Sequence, residues 1–537
     1  MNATPLNKEE VSEPTKSTEP AAPAGGNRRR TFLLNAGTSY IRVLLSMGIL
    51  FLTTPYIIRH LGTNDFGLWS LVMSVMGLAG LLDAGLGTGA VKYVAECRGS
   101  GDINRRNRMV STVFAAYLVL AGVGVLVLTI LSLKFNAIFH IPVDQQAKAI
   151  GLLWILGMRM VVLALPLSLF QGILFGEQRS YVINVIQVAA LTAYAFLLWK
   201  LLGQGMGIVT LAWLNLVTML GEYGAYTVFA YRLMPGLRVS LALMDRGLLR
   251  EVIEFSGAQL LVNVAVLVRA RTDPLIIKCF LPMTAVAAYA VALRLSECLM
   301  LLIKQVINLM SPLVAEFKTA GDHAKLKLIL LSGTKFVFAI SGMVSLAVCL
   351  FAGDITRFWI GANFANVAPV LIVLTLAMWL VVPQLVAANI LVMTGHHRFS
   401  ARAQVVGMLI NLGLSIFLTS RIGLIGAALG TLVATVIIDL AYVLIRACAL
   451  NELSYLYYVR KALVPAFVAA APQIAITVAI KRAHPPTSLL YVLLEAIPGV
   501  VAFGLTFILL YVTAQEKHLL LGKRFKRDSA PVLQPAA

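Results

Sequence analysis

The chain has 537 residues, 59% of them hydrophobic and only 13% charged, and a formal net charge of +20. No soluble core consumes that much apolar surface, so the composition excludes a water-soluble globular protein and indicates a polytopic membrane protein. The excess of base would suit nucleic acid, but its placement along the chain assigns it to membrane topology instead.

Residues 1–30 are rich in Pro, Thr and Glu and hold no apolar run, so they read as a disordered cytoplasmic tail without a cleaved signal peptide. Arg28-Arg29-Arg30 then anchors the first span. About twenty apolar residues cross a bilayer as helix, and runs of that length predict about fourteen spans. They lie near 37–58, 67–91, 109–133, 149–173, 181–200, 207–231, 256–277, 283–310, 333–353, 366–393, 404–420, 423–445, 463–480 and 488–512. With the N-terminus inside, 29 of the 44 Lys and Arg fall on the inner side, nine on the outer side and six within spans. That asymmetry is the positive-inside pattern over an even number of crossings, which predicts both termini cytoplasmic.

Val94-Ala95-Glu96-x-Arg98-x-x-Gly101-Asp102 returns 220 residues later as Val314-Ala315-Glu316-x-Lys318-x-x-Gly321-Asp322. Gly37 faces Gly257 at the same offset, and Ile57-Ile58-Arg59 faces Ile276-Ile277-Lys278 one residue short of it. The repeat predicts a duplicated bundle, a common transporter architecture in which substrate is handled between the halves. The expected organisation is a tail over 1–30, a six-helix lobe over 31–232 and a cytoplasmic linker over 233–255. A second six-helix lobe over 256–446, two additional helices over 447–512 and a cytoplasmic tail over 513–537 follow.

Several function classes are disfavoured by what the loops lack. The longest outer loop, around 134–148, is too short for the folded segment that an enzyme acting on a periplasmic substrate generally needs. The nearest look-alike of a phosphate-binding loop, Gly85-Leu86-Gly87-Thr88-Gly89, ends a span and lacks the lysine, so its glycines read as close-packing positions. The five cysteines are scattered, and His396-His397 has no third ligand beside it, so neither a disulfide framework nor a metal site is expected.

Charged side chains within spans are costly and face a cavity or a partner. The bases are Arg42, Arg159, Arg269, Arg271, Arg294 and Lys304, and the acids Asp83, Glu222, Asp273, Glu297, Asp439 and Glu495. Arg294, Glu297 and Lys304 share one face of span 8, while Arg271 sits about 200° round span 7 from Arg269. Arg42, Arg269, Arg271, Arg294 and Lys304 are the candidate lining of a cationic cavity for a phosphate, to which guanidinium is geometrically suited. Local pairing of Arg269 with Asp273 and of Arg294 with Glu297 is the competing arrangement. Asp83, Asp273, Glu297 and Asp439 are candidates for a coupling H⁺ or Na⁺, and no other cofactor is expected. Pro55, Pro166 and Pro383 lie within spans, where each permits a bend.

The stretch Tyr56-Ile-Ile-Arg59-His-Leu61-Gly62-Thr-Asn-Asp65-Phe66-Gly67-Leu68-Trp69, with Leu82-Asp83-Ala84-Gly85-Leu86-Gly87 and the Val94 motif, resembles the start of the polysaccharide-exporter family. These are the Wzx-type flippases for O-antigen and exopolysaccharide units, in the superfamily that also holds MATE antiporters and the lipid II flippase. The resemblance implies an all-α membrane protein with two six-helix lobes in a V around a cationic cavity. It also implies that an undecaprenyl-diphosphate-linked oligosaccharide is flipped across the bacterial inner membrane. Lipids, a polymerase and a chain-length regulator are the implied partners, and nucleic acid is not. Phe280-Leu281-Pro282 departs from Leu61-Gly62 of the first repeat, so the second outer turn is expected to differ. A multidrug or cation antiporter is the alternative, favouring carboxylates and aromatics in the cavity; a membrane polymerase or ligase is a further one, opposed by the short outer loops.

Overall fold

The computed structural model describes residues 25–83, 85–361, 364, 367–513 and 516, and most of both expected tails lies outside the described residues. Among the described residues the chain is helical, without strands. This follows from the solvent: in hydrocarbon each backbone N–H and C=O must be satisfied within its own segment, which helices do. The first half comprises α1 (Gly25–Leu78), α2 (Leu86–Ser100), α3 (Ile103–Ile138), α4 (Val143–Gly157), α5 (Leu165–Gly176), α6 (Ser180–Gly203) and α7 (Ile208–Leu233). The second comprises α8 (Arg246–Arg271), α9 (Asp273–Phe280), α10 (Met283–Thr319), α11 (His323–Leu328), α12 (Thr334–Leu350), α13 (Ala352–Trp359), α14 (Val367–Leu380), α15 (Val382–Met393), α16 (His397–Ile422), α17 (Leu424–Ala434) and α18 (Leu444–Leu450). After α19 (Tyr455–Tyr458), α20 (Val464–Ala483) and α21 (Leu489–Tyr511) complete the chain.

Twelve described helical segments are long and apolar enough to cross a membrane, against the fourteen spans read from sequence. The difference lies at two places. Residues 37–83 count as one segment, although α1 contains a sharp bend at Gly62 (φ 79°, ψ 168°). Thr54 and Phe66 both reach Arg294, while twelve residues of straight helix would separate them by about 18 Å, so the chain folds back at Gly62. The predicted seventh span is broken into α8 and α9 at Thr272, because Pro274 disfavours helical geometry at Asp273 and supplies no N–H. Pro166 and Pro383 likewise stand at the starts of α5 and α15, and Pro55 lies within α1.

The duplicated motif forms the same turn twice. α2 ends at Gly101 (φ 71°), and Asp102 caps α3 by accepting from the Arg105 amide at 2.8 Å. α10 ends at Ala320, Gly321 takes φ 67°, and Asp322 caps α11 by accepting from the Lys325 amide at 3.0 Å. Only a residue without Cβ adopts positive φ cheaply, and Asp is a preferred N-cap, which accounts for Gly-Asp at both sites. Val94 and Val314 are buried, and Glu96 and Glu316 exposed, at matching positions. The other turn differs, as its residues imply: Gly62 is left-handed, whereas Leu281 and Pro282 are extended (φ −131° and −66°).

Buried apolar residues form three cores. One holds Phe66, Leu152 and Leu211 of the first half together with Ile277, Met283 and Leu371 of the second. The others lie apart from it, one around Tyr93, Met109 and Tyr226 of the first half with Val252 from the start of α8, and one around Val314, Leu326 and Leu391 of the second half with residues of the last two helices. The shared core lies at the end of the bundle holding the Gly62 turn and the start of α10. The separate cores lie at the end of the basic loops, here called the basic face. The halves therefore meet at one end and diverge towards the basic face.

At the closed end the contact is backbone-tight: a Cβ on Gly67 would stand 2.4 Å from the Met283 carbonyl oxygen. Small residues permit such approach, which drives helix association where lipid competes equally for apolar side chains. Trp359 adds a stacked ring on Phe51 (4.9 Å) and donates Nε1 to the Phe51 carbonyl at 2.8 Å. At the basic face, the connection after α7 packs on α3, with Asn107 donating to the Gly236 carbonyl at 2.7 Å. The helix α8 begins against α2 and α3, where Arg105 pairs with Glu251 at 3.5 Å and Arg108 with Asp245 at 3.4 Å, and leads from there into the second half. The last two helices are stapled to α12 and α13: Lys335 binds Glu516 and Lys481 binds Asp354, both at 2.6 Å.

Candidate functional site between the halves

Below the shared core, where the halves begin to part, lies a cavity of about 320 Å³. Its first-half wall is the stretch from Ser70 to Gly77 with Arg159 and Met160; its second-half wall is Arg271, Pro274 and Ala290 to Glu297. Three guanidinium groups and one carboxylate face the same space.

Local backbone irregularity brings them there. Arg159 sits in a π-helical segment, Met158–Ala164, which closes where Pro166 resumes α geometry. A π turn inserts an extra residue and re-aims the side chains after it, and such turns are frequent at functional sites. Arg271 is the last residue of α8, released by the break at Thr272. It crosses Gly77 so closely that a Cβ there would lie 2.9 Å from its Cδ and 3.0 Å from its Nε. Arg294 and Glu297 lie three residues apart on α10, on one face as their spacing predicts.

Little in the protein satisfies these groups. Arg294 donates to the Thr54 hydroxyl at 3.3 Å and lies 5.1 Å over the Phe66 ring. The Nε atoms of Arg159 and Arg271 are buried without an acceptor. Among the described residues Glu297 forms no ion pair, with Arg294 or any other base. Buried polar groups are nearly always paired, so a cluster of open guanidinium donors calls for an anionic visitor.

The remaining sequence candidates lie elsewhere. Arg269 faces away from Arg271, as the angular offset requires, and pairs with Asp439 at 2.7 Å while donating to Thr435 at 2.8 Å. The local Arg269–Asp273 pair is therefore replaced by one across helices, because the break at Thr272 takes Asp273 off the next turn of α8. Asp439 lies in a second π-helical segment, Thr435–Val443. Asp273 is buried and accepts from Tyr289, from Ser415 at 3.1 Å and from Thr431 at 3.1 Å. Arg42 donates to Asn184 at 3.0 Å, and Asn184 is held in turn by Thr38 and Ser39. Lys304 is exposed, further along α10. Asp83 accepts from Tyr117 and lines a different cavity, within the first half. The structure thus joins Arg271, Arg294 and Glu297 and adds Arg159, which sequence spacing left without a role because the π turn shifts the helical register.

Residues 32–318 match the profile of the family described as polysaccharide biosynthesis protein. The chain belongs to that family. It is 22% identical over 351 residues to an uncharacterized membrane protein, EpsK, of Bacillus subtilis, covering 64% of this chain and 68% of that protein. It is 20% identical over 415 residues to a putative O-antigen transporter of Shigella flexneri, covering 74% of this chain and 94% of the relative. Among solved structures it is similar to the lipid II flippase MurJ in an inward closed conformation (TM-score 0.68, 13% identity, 89% of this chain and 99% of that one). It is also similar to a MATE family multidrug transporter in an inward-facing conformation (TM-score 0.63, 18% identity, 78% and 99%). At these identities the structural likeness establishes the fold, which the chain shares with both structures. The protein is a multi-span membrane protein of the polysaccharide biosynthesis family.

Proposed function

We propose that this protein flips a polyprenyl-diphosphate-linked oligosaccharide repeat unit across the bacterial inner membrane, with both termini cytoplasmic. The observation that carries the reading is the set of Arg159, Arg271 and Arg294 facing one cavity between the halves, with a single hydrogen bond to protein among them within the described residues. A diphosphate offers oxygens to several guanidinium groups at once, and such charge-assisted contacts are worth about 1.5–3 kcal/mol each. The wedge opens at the basic face, which the positive-inside pattern places towards the cytoplasm, where such a lipid-linked unit is assembled. Closing that face and parting the Gly67–Met283 contact would present the cavity to the other side. A polymerase and a chain-length regulator are the partners that this role implies downstream.

Glu297, alone among the four carboxylates considered for ion coupling, shares the cavity with the arginines. It is placed to hold a coupling H⁺ or Na⁺ that substrate binding displaces. Asp439 is neutralised by Arg269, and Asp273 is held by three hydroxyl groups.

The test is translocation in proteoliposomes of a fluorescent undecaprenyl-diphosphate-linked oligosaccharide, with ethidium as a competing cationic cargo. Transport of the lipid-linked sugar, lost in Arg294→Ala, supports the reading. Transport of ethidium without the lipid would replace it with the antiporter reading.

A further inference from the structure

A second cavity, of about 390 Å³, lies within the first half and adjoins the cationic one. Met160 lines both, and Ala79 and Gly80 continue the wall that Gly77 begins. From there the chamber runs between α2 and α5 towards Val91 and Phe175, in the direction of the basic face. Its polar lining is Asp83, Tyr117, Ser168, Gln171 and Tyr223.

Asp83 uses one oxygen, Oδ1, which accepts from the Tyr117 hydroxyl and, at 3.3 Å, from the Gly87 amide. Its Oδ2, the Gln171 amide and the Tyr223 hydroxyl have no hydrogen-bond partner among the described residues. The Tyr223 ring is held by an edge-on contact with Tyr226 (5.5 Å), which donates to Glu222 at 2.7 Å. Space is kept open by Gly87, where a Cβ would stand 3.3 Å from the Tyr117 hydroxyl and 3.4 Å from Asp83.

The chemistry of this lining selects among ligands. A carboxylate repels a diphosphate and is out of place against a hydrocarbon tail. A lone cation would engage Asp83 and leave the Gln171 amide and the Tyr223 hydroxyl without a role. A neutral sugar ring suits every group: its hydroxyls donate to Asp83 and exchange hydrogen bonds with Gln171, and its C–H face lies on an aromatic ring. In a sugar diphosphate the ring is bonded directly to the phosphate, so its subsite must adjoin the phosphate site, as this chamber does.

We propose that the Asp83 chamber is the subsite for the first sugar of the carried unit, and that it selects a neutral or N-acetylated ring over an acidic one. The inference rests on the reading of the neighbouring cavity as a diphosphate site.

The experiment measures equilibrium binding to the full-length protein in nanodiscs. The probes are undecaprenyl diphosphate bare and carrying glucose, galactose, N-acetylglucosamine or glucuronic acid. Wild type should bind at least one neutral-sugar lipid about tenfold or more tighter than the bare lipid, in line with sites built to hydrogen-bond a hydroxyl. Asp83→Ala, Tyr223→Ala and the milder Gln171→Leu should each reduce that preference, while Arg294→Ala weakens bare and glycosylated lipids alike. The inference is overturned if no neutral-sugar lipid is preferred to the bare one, or if the glucuronic acid form binds best. It is also overturned if the three chamber variants weaken all probes equally, or if Asp83→Ala alters only a Na⁺ or pH dependence. Bare lipid bound through Arg294 without a sugar preference removes the inference and leaves the flippase reading standing. Wild type binding none of the diphosphate lipids removes both.

Discussion

The two halves descend from one pattern but treat their buried charges differently. In the second half a set of buried charges has protein partners: Arg269 with Asp439, Lys335 with Glu516, Asp273 with Tyr289, Ser415 and Thr431. In the first half Arg159 has a buried nitrogen without an acceptor, and Asp83 keeps one oxygen free among the described residues. Arg271, Arg294 and Glu297 of the second half share that openness, and they face the first half across the cavity. Charge that is paired within the protein fixes helix positions; charge that is left open is available to cargo. The distinction separates structural from substrate-handling residues, and it can be broken experimentally.

The largest effect should come from the open set. Arg294→Ala should abolish export while membrane insertion persists, and Arg294→Lys should restore it only in part, because the planar fork is lost. Arg294→Ala combined with Glu297→Ala should remain inactive. Restored export in the double variant would show that the two merely balance one another.

Next in size is the paired set. Asp439→Ala leaves Arg269 buried without its partner and should cost about 3–5 kcal/mol, read as a large drop in melting temperature in detergent. Replacing both with apolar residues of similar volume should recover most of that loss. Asp83→Ala, which breaks no ion pair, should shift the melting temperature far less.

Gly67→Val should act on conformation. Its side chain would meet the Met283 backbone, so the closed end cannot form as it stands. Cysteines placed on α1 and α10 near that contact should cross-link in the otherwise native protein and fail to do so in the variant.

The smallest effects compare the duplicated turns. Asp102→Ala and Asp322→Ala should each lower the melting temperature slightly, as the loss of an N-cap does, and Asn should be tolerated at both. The side chain and amide of Lys325 hold the Asp322 carboxyl below its ordinary value, and Lys327 does the same to Glu452. Groups shifted down contribute stability above their unfolded pKa of about 4, so melting should not respond to these two between pH 7 and 5 and should fall below that value.

Much of this was legible in the residues. Apolar runs and basic loops locate the helices, and the Gly-Asp repeat marks the turn that both halves share. The i,i+3 spacing of Arg294 and Glu297 correctly places them on one face, because α10 is continuous there. The same logic fails for Arg269 and Asp273, since Pro274 interrupts the helix between them and frees Arg269 for a partner 170 residues away. Sequence spacing gives Arg159 no role and offers Asp439 only as an ion-coupling candidate without its partner Arg269; both stand in π-helical segments, where the 3.6-residue period does not hold. Asp83 shows the other limit: its partner Tyr117 comes from a neighbouring helix, and nothing in local spacing announces the chamber between them.

The central claim is that the open arginines, not the paired one, hold the diphosphate. Binding of undecaprenyl diphosphate to Arg159→Ala, Arg271→Ala, Arg294→Ala and Arg269→Ala tests it directly, with melting temperatures measured alongside. The first three should each weaken binding by about tenfold or more with little loss of stability, consistent with about 1.5–3 kcal/mol per charge-assisted contact. Arg269→Ala should lower stability and leave the affinity of the folded protein near that of wild type. Wild-type affinity in Arg294→Ala, or a binding loss in Arg269→Ala equal to that of the cavity arginines at unchanged melting temperature, would contradict the account.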